Sequence, residues 1–207
     1  MDLALNQNSE AGFEGARITI TSEEINSLPL RTFEGKTTVV SDPALVATII
    51  DEIEKHEVVG FDTETRPSFK KGQVYQVSLL QLAIPGRAFL IRINHTSVTA
   101  EIARLFENPR IIKAGVGIRD DLKSLRKHRD FEPASCLDLS VLAKQAGLQV
   151  ESVKKLAALL LGFRISKSAQ TSNWEATTFT QKQIEYAATD AWVCLELYRK
   201  LQKLSAQ

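Results

Sequence analysis

The chain has 207 residues, a length that suits one α/β domain with a substantial core and excludes two domains of comparable size. Its hydrophobic fraction of 43% and charged fraction of 25% are ordinary for a globular protein, and no apolar stretch approaches the roughly 20 residues that span a bilayer. The net charge of +1 excludes a strong global field. It does not exclude a nucleic-acid partner, because acidic metal ligands would cancel basic substrate contacts in the sum.

The two cysteines, Cys136 and Cys194, lie in apolar sequence, and neither has a cysteine or histidine nearby at metal-ligand spacing. This pattern is typical of buried free thiols in a reducing compartment. The start of the chain also lacks the basic region and apolar core that mark a signal peptide. We therefore expect a cytoplasmic protein with no membrane partner.

The first 36 residues are interpreted as a tail and an extension. Residues 1–15 are polar and are expected to form a loose tail. In the stretch that follows, Thr21 or Ser22 precedes two glutamates, a pattern that could cap one short helical turn packed against the domain. We assign residues 1–36 to this tail and extension, and residues 37–207 to the main domain.

The first half of the main domain predicts one helix and three strands. Asp42 and Pro43 open a helical pattern that runs to about residue 55, with its apolar residues on one side. Three apolar segments follow, VVGFDTE, VYQVSLLQLAI and AFLIRI, and Pro85-Gly86 supplies a turn between the last two. Strands this close in sequence favour antiparallel pairing.

The second half alternates helices with a strand. Helices are expected at about 97–107 and 119–129, on either side of the strand IIKAGV, and this order is typical of parallel crossover units. The final third is mostly helical and ends in a long helix over about 180–204. We therefore predict an α/β fold with a mixed β-sheet, an antiparallel meander followed by parallel strands, flanked by α-helices.

Acidic residues occupy special positions in three of these segments. Asp62 and Glu64 are two apart on a predicted strand, so both side chains lie on one face, with Cα atoms roughly 7 Å apart. Their charges would repel in a dry site unless a cation lay between them, and hard cations such as Mg²⁺ or Mn²⁺ prefer oxygen ligands. The alternative is a polar strand end that simply enters a loop.

The second acidic segment is KAGVGIRDDLKSL, in which a strand ends and a helix begins after Gly117. Asp121 lies in the first helical turn, where its charge also suits the helix dipole, so a purely structural role is the alternative. Asp120 is the neighbouring candidate.

The third segment, YAATDAW, places Tyr186 and Asp190 four residues apart on one face of a helix, about 6 Å apart along its axis. A phenol in this position can hydrogen-bond a water or a phosphate oxygen while the carboxylate holds a metal. The alternative is a half-buried packing tyrosine beside a solvated aspartate. If the three segments meet at one end of the sheet, two ions about 3.5–4 Å apart could stabilise both oxygens of an in-line displacement.

The sequences FDTET, GVGIRDD and YAATD, in this order, resemble the motifs of the tyrosine subclass of the DEDD 3'-5' exonucleases. This group includes the exonuclease domain of the Werner syndrome helicase and ribonuclease D. VSLLQLAI, AGVGI and SNW are also similar to its sequences, and the likeness extends over about residues 37–204. The sister subclass has a histidine five residues before the last aspartate, and this chain has Glu185 there.

The resemblance implies a ribonuclease H-like fold and a metal-dependent exonuclease that releases nucleoside 5'-monophosphates from the 3' end of DNA. It implies two divalent ions, Mg²⁺ or Mn²⁺, bound by Asp62, Glu64, Asp121 and Asp190, with Tyr186 positioning the attacking water. Asp62 would bridge both ions. Glu64 and Asp190 would complete the site of the nucleophile, and Asp121 would serve the other ion.

Basic and polar residues near these motifs are candidate substrate contacts, because cations that neutralise phosphates bind nucleic acid. Solvated surface faces are the alternative for each basic residue, and core packing is the alternative for Trp174, which could otherwise stack on a base. The candidates are Arg66, Lys70, Lys71, Arg164, Lys167, Asn173 and Trp174, with Gln170 and Ser172 as possible groove residues and Lys123, Arg126, Lys127 and Arg129 as a further basic group.

Three functional hypotheses follow from the sequence. The first is a 3'-5' exonuclease on DNA, and the second is an RNA-trimming exonuclease like ribonuclease D, since QTSNW and YAATD suit both groups. The third is a catalytically silent nucleic-acid-binding module, whose expected mark is a lost metal ligand. No ligand of the family pattern is lost in this sequence.

Overall fold

A computed structural model of the chain describes residues 18–205, and the predicted loose tail at residues 1–15 lies outside them. Its centre is one six-stranded β-sheet with the order β1-β4-β3-β2-β5-β6. The strands are β1 Lys36–Val40, β2 Val58–Thr65, β3 Val77–Ile84, β4 Arg87–Ile91, β5 Ile112–Gly115 and β6 Cys136–Asp138.

The sheet is mixed, as the sequence predicted. Strands β2, β3 and β4 form an antiparallel meander, and β5 then pairs parallel to β2. Two short edge strands were not predicted as part of the sheet: β1 pairs parallel to β4, and β6 pairs parallel to β5. Both have five residues or fewer, which is too short for an apolar periodicity to identify them.

Helices cover both faces of the sheet. They are α1 Ser22–Ser27, α2 Val46–Ile53, α3 Ile93–Thr96, α4 Ala100–Glu107, α5 Arg119–Arg126, α6 Leu139–Gln145, α7 Val153–Leu156 and α8 Gln181–Ser205. A 3₁₀ turn, Pro43–Leu45, precedes α2, and a π-helical turn, Ala157–Leu161, follows α7.

Two predicted helices differ in detail from the structure. The helix expected from Asp42 to about residue 55 begins as the 3₁₀ turn, with the Asp42 carboxylate accepting from the Ala44 amide, and becomes α-helical only at Val46. The helix expected at 97–107 begins later, because Ser97 has a positive φ of 56° and Thr99 caps the first turn of α4. Both starts follow the usual preference for a capping oxygen.

The core forms two layers, one on each side of the sheet. One layer joins α2 and α4 to alternate residues of the central strands, and an edge-to-face contact between Phe61 and Phe106 lies within it. The other layer packs α6, α7 and α8 against the opposite face. All eight residues of β3 are buried, as expected for a strand covered on both sides.

The predicted extension packs against the domain. Thr21 forms a capping box with Glu24 at the start of α1. Leu30 forms a bridge with Arg164, whose Nε also donates to the Leu28 carbonyl at 3.0 Å. The Phe33 amide donates to Thr189 Oγ1 at 3.0 Å, so the extension is held against α8.

Both cysteines are free thiols; Cys194 is buried and Cys136 is half-buried. Among residues 18–205, no helix combines the length and apolar character needed to cross a membrane. The cytoplasmic location and the boundary between residues 36 and 37 stay predictions.

Gly60 sets the distance between β2 and α8. A Cβ at this position would collide with the Ala191 carbonyl oxygen and would lie 2.7 Å from the Leu195 amide nitrogen. Both obstacles are helix backbone, which cannot rotate away as a side chain can. Only glycine therefore allows α8 to lie this close to the strand.

We predict that Gly60→Ala destabilises the protein by about 1–3 kcal/mol, the usual cost of overpacking a core. The clash pushes α8 away from β2, so thermal unfolding followed by circular dichroism should show a lower Tm than in the parent chain. An unchanged Tm would contradict the close packing of the helix on Gly60.

Candidate active site

The first acidic pair lies on a central strand of the sheet. Gly60, Asp62 and Glu64 alternate with Phe61 along β2, so all three face α8 while Phe61 enters the opposite core layer. Asp62 pairs with Gln81 and Glu64 with Leu79 across the antiparallel ladder. Both carboxylates are half-buried. Their positions two residues apart on β2 agree with the predicted shared face.

The second segment brings Asp121 to the same strand. Gly117, with a φ of 73°, makes the turn between β5 and α5. Asp121 then accepts a short hydrogen bond from the Thr63 hydroxyl on β2, and it is half-buried whereas Asp120 is exposed. The structure therefore favours Asp121 over Asp120 as the site residue.

The third segment lies on α8, opposite β2. Tyr186 and Asp190 are one helical turn apart and are only 9% and 6% exposed. Ala191, next to Asp190, has the carbonyl that approaches Gly60. The contact that seats α8 on the strand thus also carries Asp190 towards Asp62.

The four carboxylates interact electrostatically. The pKa of Asp62 is raised well above its ordinary value, first by burial and then by the charges of Asp190, Asp121 and Glu64. Burial followed by the Asp190 charge raises the pKa of Glu64 to about 8, and burial raises the pKa of Asp190 to about 7. Burial also raises the pKa of Asp121. Asp62 therefore lies within electrostatic reach of the other three carboxylates.

Tyr186 completes the group. Its hydroxyl is close enough to Glu64 and Asp190 for hydrogen bonding to oppose part of their pKa rise. Burial raises the pKa of Tyr186 itself above its ordinary value, and the charges of Asp190, Glu64 and Asp62 raise it further. The phenol therefore stays protonated at neutral pH and can act as a hydrogen-bond donor.

The donor set suits hard divalent cations. All four acidic groups offer oxygen atoms, the ligands that hard cations prefer. Lys167 adds a positive charge that lowers the pKa of Asp190, but it does not balance four acids. In the described part of the chain, however, no three acidic, histidine or cysteine side chains surround a common point closely enough to enclose an ion. Asp121 is turned instead to Thr63.

A cavity of about 290 Å³ opens on this group, lined by Asp62, Tyr186 and Asp190. Its other walls include Gly117, Lys167 and Gln170, together with Glu151, Ser152 and Lys154. Lys167 and Gln170 were predicted from the sequence. The residues from 151 to 154 were missed, because nothing in their local pattern distinguishes them from an ordinary helix start. A larger cavity, of about 580 Å³, lies beside this one.

The structure shows what three of the other predicted substrate contacts touch within the protein. Trp174 is fully buried against Phe179 and Tyr186, so the prediction that it contacts substrate is wrong and its role is core packing. Arg164 donates to the main chain of the extension. Arg66 pairs with Glu175 at 3.1 Å.

A separate cavity of about 420 Å³ is lined by several other predicted contacts. Arg66, Lys70 and Asn173 lie around it together with Phe69, which is 87% exposed. Lys71 is exposed on the same loop. These residues share no wall with the acidic cavity, so their contact with substrate stays a prediction.

Thr63 is a further residue that sequence reasoning missed. Its hydroxyl holds Asp121, which lies 58 positions along the chain. The alternation of β2 turns Thr63 away from the face of Asp62 and Glu64. Its position in the sequence therefore did not indicate that it contacts a site residue. Only the pairing of distant elements reveals this contact.

Comparison with known proteins identifies the family. Residues 37–205 match the family model of the 3'-5' exonuclease domain named DNA_pol_A_exo1. The chain therefore belongs to the 3'-5' exonuclease family, whose members are metal-dependent hydrolases of phosphodiester bonds and act on nucleic acid.

Individual relatives agree with this assignment. The chain is 36% identical over 154 residues to the bifunctional 3'-5' exonuclease/ATP-dependent helicase WRN of Mus musculus, a match that covers 72% of this chain and 11% of that protein. It is 34% identical over 170 residues to exonuclease 3'-5' domain-containing protein 2 of Drosophila melanogaster, covering 78% and 29%. The chain thus spans less than a third of either relative.

The fold also matches a solved structure. The crystal structure of Escherichia coli RNase D superimposes with a TM-score of 0.75 at 21% identity, over 83% of this chain and 45% of that one. This likeness confirms the predicted ribonuclease H-like fold.

We predict that the metal-free protein loses stability as pH rises from about 4 to 8. The pKa values of Glu64 and Asp190 rise from 4.5 and 3.8 to about 8 and about 7 on folding, so the folded state binds these protons more tightly than the unfolded chain. The free energy of unfolding then falls as pH passes through this window. A Tm series in EDTA should show the fall, at about 2–4 °C per kcal/mol for this length.

Mn²⁺ or Mg²⁺ should reduce the loss of stability at higher pH, because a cation relieves the repulsion between the carboxylates. Asp62→Asn is the matched variant: it removes one charge, so it should raise the Tm in EDTA at pH 8 and flatten the pH dependence. An Asp62→Asn protein that is no more stable than the parent at pH 8 would contradict the repulsion.

Proposed function

We propose that this chain is a two-metal-ion 3'-5' exonuclease that hydrolyses DNA from its 3' end and releases nucleoside 5'-monophosphates. The observation that carries the proposal is that Asp62 and Asp190 line one cavity while Asp121 is held against the same strand by Thr63, in a chain that matches the 3'-5' exonuclease family. Buried acids that raise one another's pKa values are costly to a fold, and such clusters occur where function requires them.

The four carboxylates are the proposed metal ligands. Asp62 interacts with all three of the others, which suits a ligand shared by two ions. Glu64 and Asp190 face each other between β2 and α8, and Asp121 approaches from α5. Two bound ions would supply charge stabilisation for the attacking and leaving oxygens of the displacement.

Tyr186 is proposed to orient the attacking water. Its protonated hydroxyl lies between Glu64 and Asp190 at the wall of the cavity, so it can donate one hydrogen bond and accept another. Lys167, which lines the same cavity, supplies a cation near Asp190 that can contact a phosphate oxygen. Trp174 supports this arrangement from below, since its ring packs at 6.0 Å from that of Tyr186.

The preference for DNA rests on likeness rather than on the geometry of the site. The matching family model carries the name of a DNA polymerase domain. The alternative is RNA, which is favoured by the structural match to RNase D. An acid cluster that cuts phosphodiesters does not by itself distinguish the two sugars.

We predict that Asp121→Asn lowers the rate of 3'-end hydrolysis about 100-fold or more, since changing even an outer-shell partner of a metal site costs about 10–100-fold. Asp120→Asn is the matched control, because it makes the same change one residue away at an exposed position. Gel analysis of a 5'-labelled oligonucleotide with Mn²⁺ measures both. Equal rates for the two variants would remove Asp121 from the mechanism.

We predict that the parent chain shortens single-stranded DNA stepwise from its 3' end and releases 5'-monophosphates. Matched DNA and RNA oligonucleotides, digested with Mg²⁺ or Mn²⁺, should show faster loss of DNA. Asp62→Ala serves as the inactive control. Faster digestion of RNA would indicate that RNA is the substrate instead of DNA. If neither polymer releases monophosphates with either ion, the proposed exonuclease activity is wrong.

A further inference from the structure

The larger cavity beside the acidic site is a groove of about 580 Å³ at the turn between α6 and α7. We call it the α6–α7 groove; its walls include Lys144, Gln149 and Lys155. It shares Glu151 and Ser152 with the acidic cavity. The two spaces therefore lie next to each other, with these two residues in their common wall, and a strand that leaves the acidic cavity can reach the groove by crossing them.

The lysines beside this shared wall form no ion pairs within residues 18–205. Lys144 and Lys155 line the groove, and Lys154 lines the acidic cavity on the other side of the same turn. All seven ion pairs found within residues 18–205 use arginine, so none of these lysines has an acidic partner there. Glu151 is the one acid among the groove walls.

We propose that the α6–α7 groove binds the phosphates of the single strand 5' to the nucleotide being removed, through Lys144, Lys154 and Lys155. This inference rests on the proposed function, because only a polynucleotide held by its 3' end needs an exit path for the rest of the strand. Lysine side chains act as point charges towards phosphate. The contacts are therefore independent of base sequence and shared by DNA and RNA.

The other openings are less suited to this role. The groove along α5 contains basic residues, but it shares no wall with the acidic cavity, and its Arg126 is paired with Asp130 and Glu132. A cavity of about 180 Å³ does share Tyr186 with the acidic cavity, but its Lys182 is opposed by Glu185. Of these cavities within residues 18–205, the α6–α7 groove is the one that both adjoins the acidic cavity and has more lysines than acids in its wall.

The test compares two triple variants of the full chain that lose the same charge. The first is Lys144→Gln, Lys154→Gln and Lys155→Gln. The matched control is Lys36→Gln, Lys200→Gln and Lys203→Gln, at exposed positions on the edge strand and in the last turns of α8. Equal Tm values for the two variants establish that both are folded.

Binding is measured by fluorescence anisotropy in EDTA, so that the strand stays intact, with labelled oligo-dT and oligo-U of about 12 nucleotides, a length within the range of known single-strand sites. The groove variant is expected to bind about tenfold more weakly or worse at 0.1 M salt, and to lose about 2 from its slope of log K against log salt, because each single-strand phosphate contact contributes about 0.7. The control variant should match the parent chain. Glu151→Gln should bind more tightly, since it removes the opposing charge.

Hydrolysis of a dinucleotide with Mn²⁺ is the second readout. It should be the same in the parent chain and in a Lys144→Gln, Lys155→Gln double variant, because a dinucleotide does not extend into the groove. Lys154 is left unchanged in this comparison because it lines the acidic cavity. A groove variant whose affinity and salt slope for the long strands equal those of the parent would overturn the inference. A parent chain that hydrolyses no oligonucleotide would overturn the proposed function instead, and the binding comparison would still decide whether the groove holds phosphates.

Discussion

The close contact between α8 and β2 is the constraint on which the rest of the structure depends. Gly60 allows the helix backbone at Ala191 to lie directly against the strand. Asp62 is two residues from Gly60 along the strand, and Asp190 is next to Ala191 on the helix. A looser contact would leave the core buried but would separate the two carboxylates, so the packing of backbone on backbone sets the geometry of the acidic site.

Charge repulsion opposes this packing. Burial raises the pKa values of Asp62, Glu64 and Asp190, and neighbouring acidic charges raise those of Asp62 and Glu64 further, so the site is less stable when its acids are ionised and no cation is present. The cost is tolerated because the surrounding core is large and apolar: β3 is buried along its whole length, and Trp174 packs beneath Tyr186. Stability supplied elsewhere thus keeps the carboxylates together.

Basic residues divide into two groups with different uses. Several arginines hold the fold: Arg92 is buried and donates to the Thr177 carbonyl at 2.8 Å, and Arg164 anchors the extension. Within residues 18–205, Lys144, Lys154, Lys155 and Lys167 have no such main-chain partner. Lys154 and Lys167 line the acidic cavity, and Lys144 and Lys155 line the groove beside it. This division follows from chemistry, because the planar guanidinium group satisfies several carbonyls at once whereas an ammonium group is readily kept in solvent.

The sequence by itself determined the mixed sheet, the antiparallel meander, the long last helix and the motif residues, because these features depend on local periodicity and on residue types at fixed spacing. Only the tertiary structure decided that Asp121 rather than Asp120 reaches β2, that Trp174 is core, that β1 and β6 extend the sheet, and that a lysine-lined groove adjoins the acids. Each of these depends on which distant elements touch. Such contacts produce no periodic pattern in the sequence, so they could not be predicted from local residue spacing.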